Sequence, residues 1–162
     1  MLKNPSHLYT FGYEALDVDA FIARARAVRI QTIVDVRELP LSRKKGFSKS
    51  SFSARLGDAG IAYLHAPTLG CPKEIRNRYR EDSDWAQYTR DFQAHMTTQL
   101  ATTRELVKLS RATTTCLVCF EADYTMCHRT YVARAAAKQG GLPVMHLTAK
   151  TALADSALRA VA

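Results

Sequence analysis

Thr32-Ile33-Val34-Asp35-Val36 is a short, β-branched, nearly all-apolar run. Such runs suit a strand buried on both faces, which means a parallel sheet covered by helices. The chain on either side fits that reading. Upstream, Phe21, Ile22, Ala25 and Val28 give a helix an apolar face, with Asp17 or Asp19 as its cap. Further upstream, His7 to Tyr13 reads as a strand ending at Gly12.

Downstream, Arg37 to Ser51 is polar and basic and holds Pro40 and Gly46, so it reads as a loop. A short helix from Ser51 to Ala59 and a strand from Ile61 to Ala66 come next. Pro67 to Asp84 reads as irregular and basic, and Lys73 to Arg80 within it resembles an exposed helix face. Trp85 to Leu109 carries the longest helical stripe, through Tyr88, Phe92, Met96, Leu100, Leu106 and Val107, read as core packing. Thr113 to Phe120 is a fourth strand. Thr125 caps a helix from Met126 to Lys138, which Gly140 and Gly141 stop. Val144 to Leu147 is a fifth strand, and Thr148 to Ala162 reads as a terminal helix.

Strands alternating with helices imply right-handed crossovers. The expectation is one α/β domain over residues 1–162, three-layered, with a mostly parallel sheet of about five strands and helices on both faces. The chain has 162 residues, 47% hydrophobic and 23% charged, which excludes disordered and collagen-like classes. No run approaches the roughly 18 apolar residues of a spanning helix, and Met1 to His7 lacks a signal-peptide core. The expected setting is therefore soluble and cytoplasmic, with no membrane partner. Four cysteines are too few for a disulfide scaffold at this length, so free, catalytic or metal-bound thiols are favoured. The net charge of +8 favours anionic partners, a small molecule or nucleic acid. Nothing in the sequence sets the oligomeric state.

Ligands of such folds bind beyond the carboxyl ends of the strands. Four segments fall there: Gly12-Tyr13-Glu14, Asp35-Val36-Arg37, His65 with Leu69-Gly70-Cys71, and Cys119-Phe120-Glu121 running to Cys127-His128-Arg129. Cys119 ends a strand and Cys127 begins a helix, where unpaired N–H groups and the dipole favour the thiolate. Arg129 adds to this, as does His128 when protonated. Cys127 or Cys119 is the candidate nucleophile, and Glu121 and His128 the candidate acid–base pair, Glu121 also as the orienting partner of His128. Arg37, Arg43 and Arg129 are candidate anion ligands. Tyr13 and Asp35 stand behind them, Asp35 either in the site or holding Arg37. Phe47 and Phe52 either stack on bases or pack inward. His65 is equally a core histidine.

A metal reading would use Cys119, Cys127, His128 and Glu121. Two features weigh against it: Cys116 and Cys119 on one strand point to opposite faces, and seven residues separate Cys119 from Cys127. No metal ligand is assigned, and zinc is the weaker reading. A thioredoxin-type reductase is disfavoured because Cys116-Leu117-Val118-Cys119 lies in a strand pattern. No G-x-G-x-x-G follows the first strand, which disfavours a dinucleotide enzyme. Cys127-His128-Arg129 is too tight for a phosphatase loop. Three functions compete: a thiol–imidazole enzyme on an anionic substrate such as a nucleotide or a nucleic-acid end, a nucleic-acid or nucleotide binding module without chemistry, and a thiol-based redox or metal sensor.

The ordered set of short motifs resembles the bacterial and archaeal family called domain of unknown function 488. The pieces are Thr10-Phe11-Gly12-Tyr13, Val34-Asp35-Val36-Arg37 with Pro40 and Ser42, Gly46-Phe47, Gly60-Ile61 with Tyr63 and His65, Leu69-Gly70, Cys119-Phe120-Glu121 and Cys127-His128-Arg129. The resemblance implies a compact α/β domain with these motifs gathered at one site, and no particular reaction. This chain departs from the pattern at Glu14, where many members have serine, and at Cys71, where many have a second glycine.

Overall fold

The computed structural model describes residues 7–155. The strands are β1 (Leu8–Gly12), β2 (Thr32–Asp35), β3 (Ala62–His65), β4 (Thr115–Cys119), β5 (Val144–Leu147) and β6 (Ala152–Ala154). They form one sheet in the order β3-β2-β4-β1-β5-β6. The first five run parallel, and β6 is antiparallel to β5. The sixth strand replaces the start of the expected terminal helix; the rest of that helix, 156–162, lies outside the described residues.

Among the described residues, six α-helices cover the sheet: α1 (Val18–Ala27), α2 (Lys49–Asp58), α3 (Lys73–Asp82), α4 (Trp85–Thr97), α5 (Leu100–Ala112) and α6 (His128–Gly140). On one face, Phe21, Ile22 and Ala25 of α1 and Phe52 and Leu56 of α2 pack on Phe11, Ile33, Cys116 and Val118. On the other, α4, α5 and α6 pack on Leu8, Val34, Leu117, Cys119 and Val144. Successive β4 residues thus feed two cores, and Cys116 and Cys119 do point to opposite faces. Each fully buried Phe adds about 1.5–3 kcal/mol to these cores. Phe47 and Phe52 are among them, at zero exposure, so they pack inward and stack on no ligand.

Three expected elements differ. The long stripe from Trp85 breaks into α4 and α5 at Thr98-Gln99, where the β-branched Thr98 hydroxyl turns back to the His95 carbonyl. Within the segment expected to be irregular, the stretch Lys73 to Arg80 that resembles an exposed helix face does form a helix, α3, which runs on to Asp82 with none of its residues fully buried. The helix expected from Met126 starts at His128, because Tyr124–Met126 forms a separate 3-10 turn; Asp123, rather than Thr125, caps that turn, and Cys127 is the N-cap of α6.

The chain leaving β4 returns over the α6 face, whereas its neighbours β1 and β2 lead to α1 and α2 on the opposite face. That divergence opens a crevice over the carboxyl end of β4. Gly12 lets the chain close there: a Cβ on it would lie 1.8 Å from the Glu121 carbonyl oxygen. Gly70 has the same role against Glu38, whose backbone nitrogen would be 2.3 Å from an added Cβ. Among the described residues, no helix is long and apolar enough to cross a membrane.

Candidate functional site

Cys119 closes β4 and Cys127 caps α6, and their sulfurs are placed as a disulfide pair. Their Cα atoms stand 7.9 Å apart, beyond the span that two cysteines bridge without backbone movement. Both residues are almost fully buried. Oε2 of Glu121 is 3.4 Å from each sulfur. Burial pushes the Glu121 carboxyl up; its own backbone hydrogen bond and Arg129 pull it back down in part.

Arg129 is completely buried. Its Nη1 donates to Cys119 Sγ at 3.2 Å and to the Glu121 carbonyl, and Nη2 donates to the Ala122 carbonyl at 3.4 Å. Its Nε has no partner. Burial lowers Arg129 to about 10, which leaves it cationic at neutral pH. Its charge is therefore directed at Cys119 and is not free to clamp a ligand, against the expectation of an anion ligand.

His128 is buried, and its Nε2 lies 2.7 Å from the Val36 carbonyl. A carbonyl only accepts, so Nε2 carries the proton and Nδ1 presents a lone pair, 4.0 Å from Cys127 Sγ. Burial drops His128 to about 4, so it is neutral beside the thiols and lends them no positive charge. Its orienting partner is Val36 rather than Glu121.

Arg37 is also committed internally. Its Nε and Nη2 donate to the two Asp35 carboxylate oxygens at 2.9 and 2.7 Å, and its Nη1 donates to Tyr13 Oη at 2.9 Å and to the Phe47 carbonyl at 2.7 Å. Burial opposes its charge, but Asp35 more than compensates and holds it protonated. Tyr63 Oη donates to Asp35 at 2.5 Å, and His65 bonds the Arg37 carbonyl at 2.8 Å. Asp35, Arg37, Tyr13, Tyr63 and His65 thus form one framework that fixes the ends of β2 and β3. Asp35 holds Arg37 and does not line the crevice.

The crevice is a cavity of about 730 Å³, within the usual size of a small-molecule site. Cys119, Glu121 and His128 lie on its floor. Tyr13, Arg37 and Arg43 of the basic loop line it as well. α3 and α4 contribute a wall of Arg76, Tyr79, Arg80, Trp85 and Tyr88. Leu39, Leu41, Phe120 and Met126 form an exposed apolar rim. Arg76 is tied to Glu38 at 2.8 Å. Arg43 and Arg80 are exposed, with no carboxylate partner among the described residues. Burial disfavours the thiolate at the other two cysteines, pushing Cys71 up to about 11 and Cys116 higher still.

The sequence reading missed the α3–α4 wall. The available signal is Arg76, Tyr79 and Arg80, which fall at helical spacings of three and four and so share a face. The stripe residues Trp85 and Tyr88 have two roles, because a ring can pack on the core and still show an edge to a cavity.

The family model named Domain of unknown function DUF488 matches residues 17–136. The match takes in every motif above except Thr10-Phe11-Gly12-Tyr13, which precedes it. No curated protein and no solved structure matches the chain. With most of its length matched, and with the motifs gathered around one crevice, the chain belongs to the DUF488 family.

Proposed function

We propose that this chain binds an anionic, ring-bearing small molecule of the nucleotide class in the crevice over β4 and presents it to the Cys119–Cys127 centre. The carrying observation is the pair Arg43 and Arg80: two exposed guanidinium groups, without carboxylate partners among the described residues, that both line one concave, aromatic-walled cavity. Guanidinium groups bind phosphate through paired N–H donors, and Trp85, Tyr79 and the apolar rim offer faces to a flat ring. The volume suits one nucleotide better than a duplex groove, which favours this reading over a nucleic-acid module. The reacting centre lies beneath, with Arg129 favouring a negative sulfur at Cys119.

Trp85 is the chain's only tryptophan and lines the cavity, so it reports occupancy directly. Titration with nucleoside mono- and triphosphates should give a saturable change in its fluorescence. The double variant Arg43→Gln/Arg80→Gln should bind at least about tenfold more weakly, since each lost charge-assisted bond costs about 1.5–3 kcal/mol. Adenosine, which lacks phosphate, should bind far more weakly than its phosphates. A flat titration up to millimolar nucleotide, or equal affinity in the double variant, would overturn the reading.

A further inference from the structure

We propose that Cys119, Cys127 and His128 together bind one zinc-class divalent ion on the floor of the crevice. Such an ion deepens the proposed function by naming what the centre holds, and only its role toward a bound ligand rests on that function.

The three donor atoms, two Sγ and the Nδ1 of His128, lie within 4.8 Å of one another. Zinc–sulfur bonds of about 2.3 Å and zinc–nitrogen bonds of about 2.0–2.1 Å put donors of one tetrahedron roughly 3.5–3.8 Å apart. The Cys127–His128 separation of 4.0 Å is close to that edge length. The seven residues between Cys119 and Cys127, which weigh against a metal in the sequence, are folded into the 3-10 turn and return Cys127 to Cys119. The Cα separation of 7.9 Å is long for a crosslink, and reduction frees the two sulfurs to part around an ion.

His128 is already oriented as a ligand. Its Nε2 proton is held by the Val36 carbonyl at 2.7 Å, the outer bond that fixes the tautomer of metal-binding histidines. The lone pair is thereby left on Nδ1, directed toward the sulfurs.

Charge supplies a separate argument. Arg129 is a fully buried cation bonded to a sulfur and two carbonyls, with no carboxylate within ion-pair distance among the described residues. A buried guanidinium requires an anion, and Cys119 Sγ is the group it reaches. Thiolate and imidazole donors select zinc or ferrous ion over magnesium or calcium, which take oxygen. Three protein ligands leave a fourth position, facing Glu121 and the crevice.

The test is titration of the reduced, chelator-treated full chain with Co²⁺, followed by competition with Zn²⁺. One equivalent should produce a sulfur-to-cobalt charge-transfer band in the near ultraviolet and the visible bands of a tetrahedral ion, both erased by zinc. Cys119→Ser, Cys127→Ser and His128→Gln should each weaken cobalt binding at least about tenfold, by analogy with the cost of altering a ligand's surroundings. Cys71→Ser should leave it unchanged. Circular dichroism checks that each variant folds. If a variant fails to fold, alkylation of the wild-type chain serves instead: bound zinc should shield Cys119 and Cys127, and a chelator should release them. Absence of the charge-transfer band in the folded wild-type chain, or its retention in all three ligand variants, would overturn the inference. The Trp85 titration on the metal-free chain reads nucleotide binding separately, so either claim can fail alone.

Discussion

Nη1 of Arg129 donates to Sγ of Cys119 at 3.2 Å, inside a core where, among the described residues, no carboxylate oxygen reaches the guanidinium. The family's Cys-His-Arg triplet therefore serves three directions from one helix start: a sulfur toward β4, an imidazole toward β2, and a cation back to the first sulfur.

Arg129→Lys keeps the charge but loses the planar fork that spans Cys119 and two carbonyls. It should cost about 2–4 kcal/mol in urea unfolding, since a buried fork is replaced by one point donor. An unchanged urea midpoint would show that the fork is not what holds the Cys119–Ala122 turn.

Asp35→Asn removes the bidentate partner of buried Arg37 and the acceptor of Tyr63. Leaving that cation unpaired should cost about 3–5 kcal/mol. Chemical denaturation reads it. If Arg37 were instead poised for ligand, the variant would unfold like wild type and bind anions more tightly.

Two glycines give opposite expectations. Gly12→Ala drives a Cβ into the Glu121 carbonyl, so the Cys119–Ala122 turn must move; at least about 2 kcal/mol should be lost. Gly57 sits exposed in α2 with nothing within 4 Å of an added Cβ. Gly57→Ala should stabilise by about 0.5–1 kcal/mol through helix propensity. Thermal melts of the two variants check both signs.

His146 is buried, stacked on Tyr124 and bonded through Nδ1 to Thr10 Oγ1 at 2.7 Å. Burial lowers it to about 4, with Asp155 opposing. An unfolded chain takes up this proton first, near pH 6.5. Stability is therefore full above that pH and falls as the pH drops toward 4, by up to about 3 kcal/mol for this group. His128, lowered by the same cause, adds to the loss. Urea midpoints from pH 7 to pH 4 should show the decline, and His146→Gln should flatten it by roughly half. An equally steep decline in the variant would exclude His146 as a cause.

Much of the fold and the site was legible from Thr32–Val36 and from the residues that end each strand. Buried parallel strands have an apolar signature, and polar residues directly after them have few places to go but the sheet edge. Cys119, Glu121, Cys127, His128 and Arg129 were therefore expected together, and the fold brings them into one cluster. Direction could not be read. Arg37 and Arg129 look like ligand clamps in a sequence, and both turn inward, because only tertiary packing shows Asp35 and Cys119 as their partners. The α3–α4 wall was hidden because Arg76 and Arg80 on a polar helix look solvated until α4 packs beside them. The β6 hairpin had no alternating apolar pattern to announce it.

The central claim is that ligand in the crevice sits over the thiol centre. The most direct measurement is the alkylation rate of each cysteine in the reduced, chelator-treated chain, read by peptide mass spectrometry with and without saturating nucleoside triphosphate. Cys119 and Cys127 should react fastest of the four and nucleotide should slow both, with Cys71 and Cys116 slow throughout. Equal rates with and without nucleotide, or a Cys119–Cys127 pair as slow as Cys116, would contradict it.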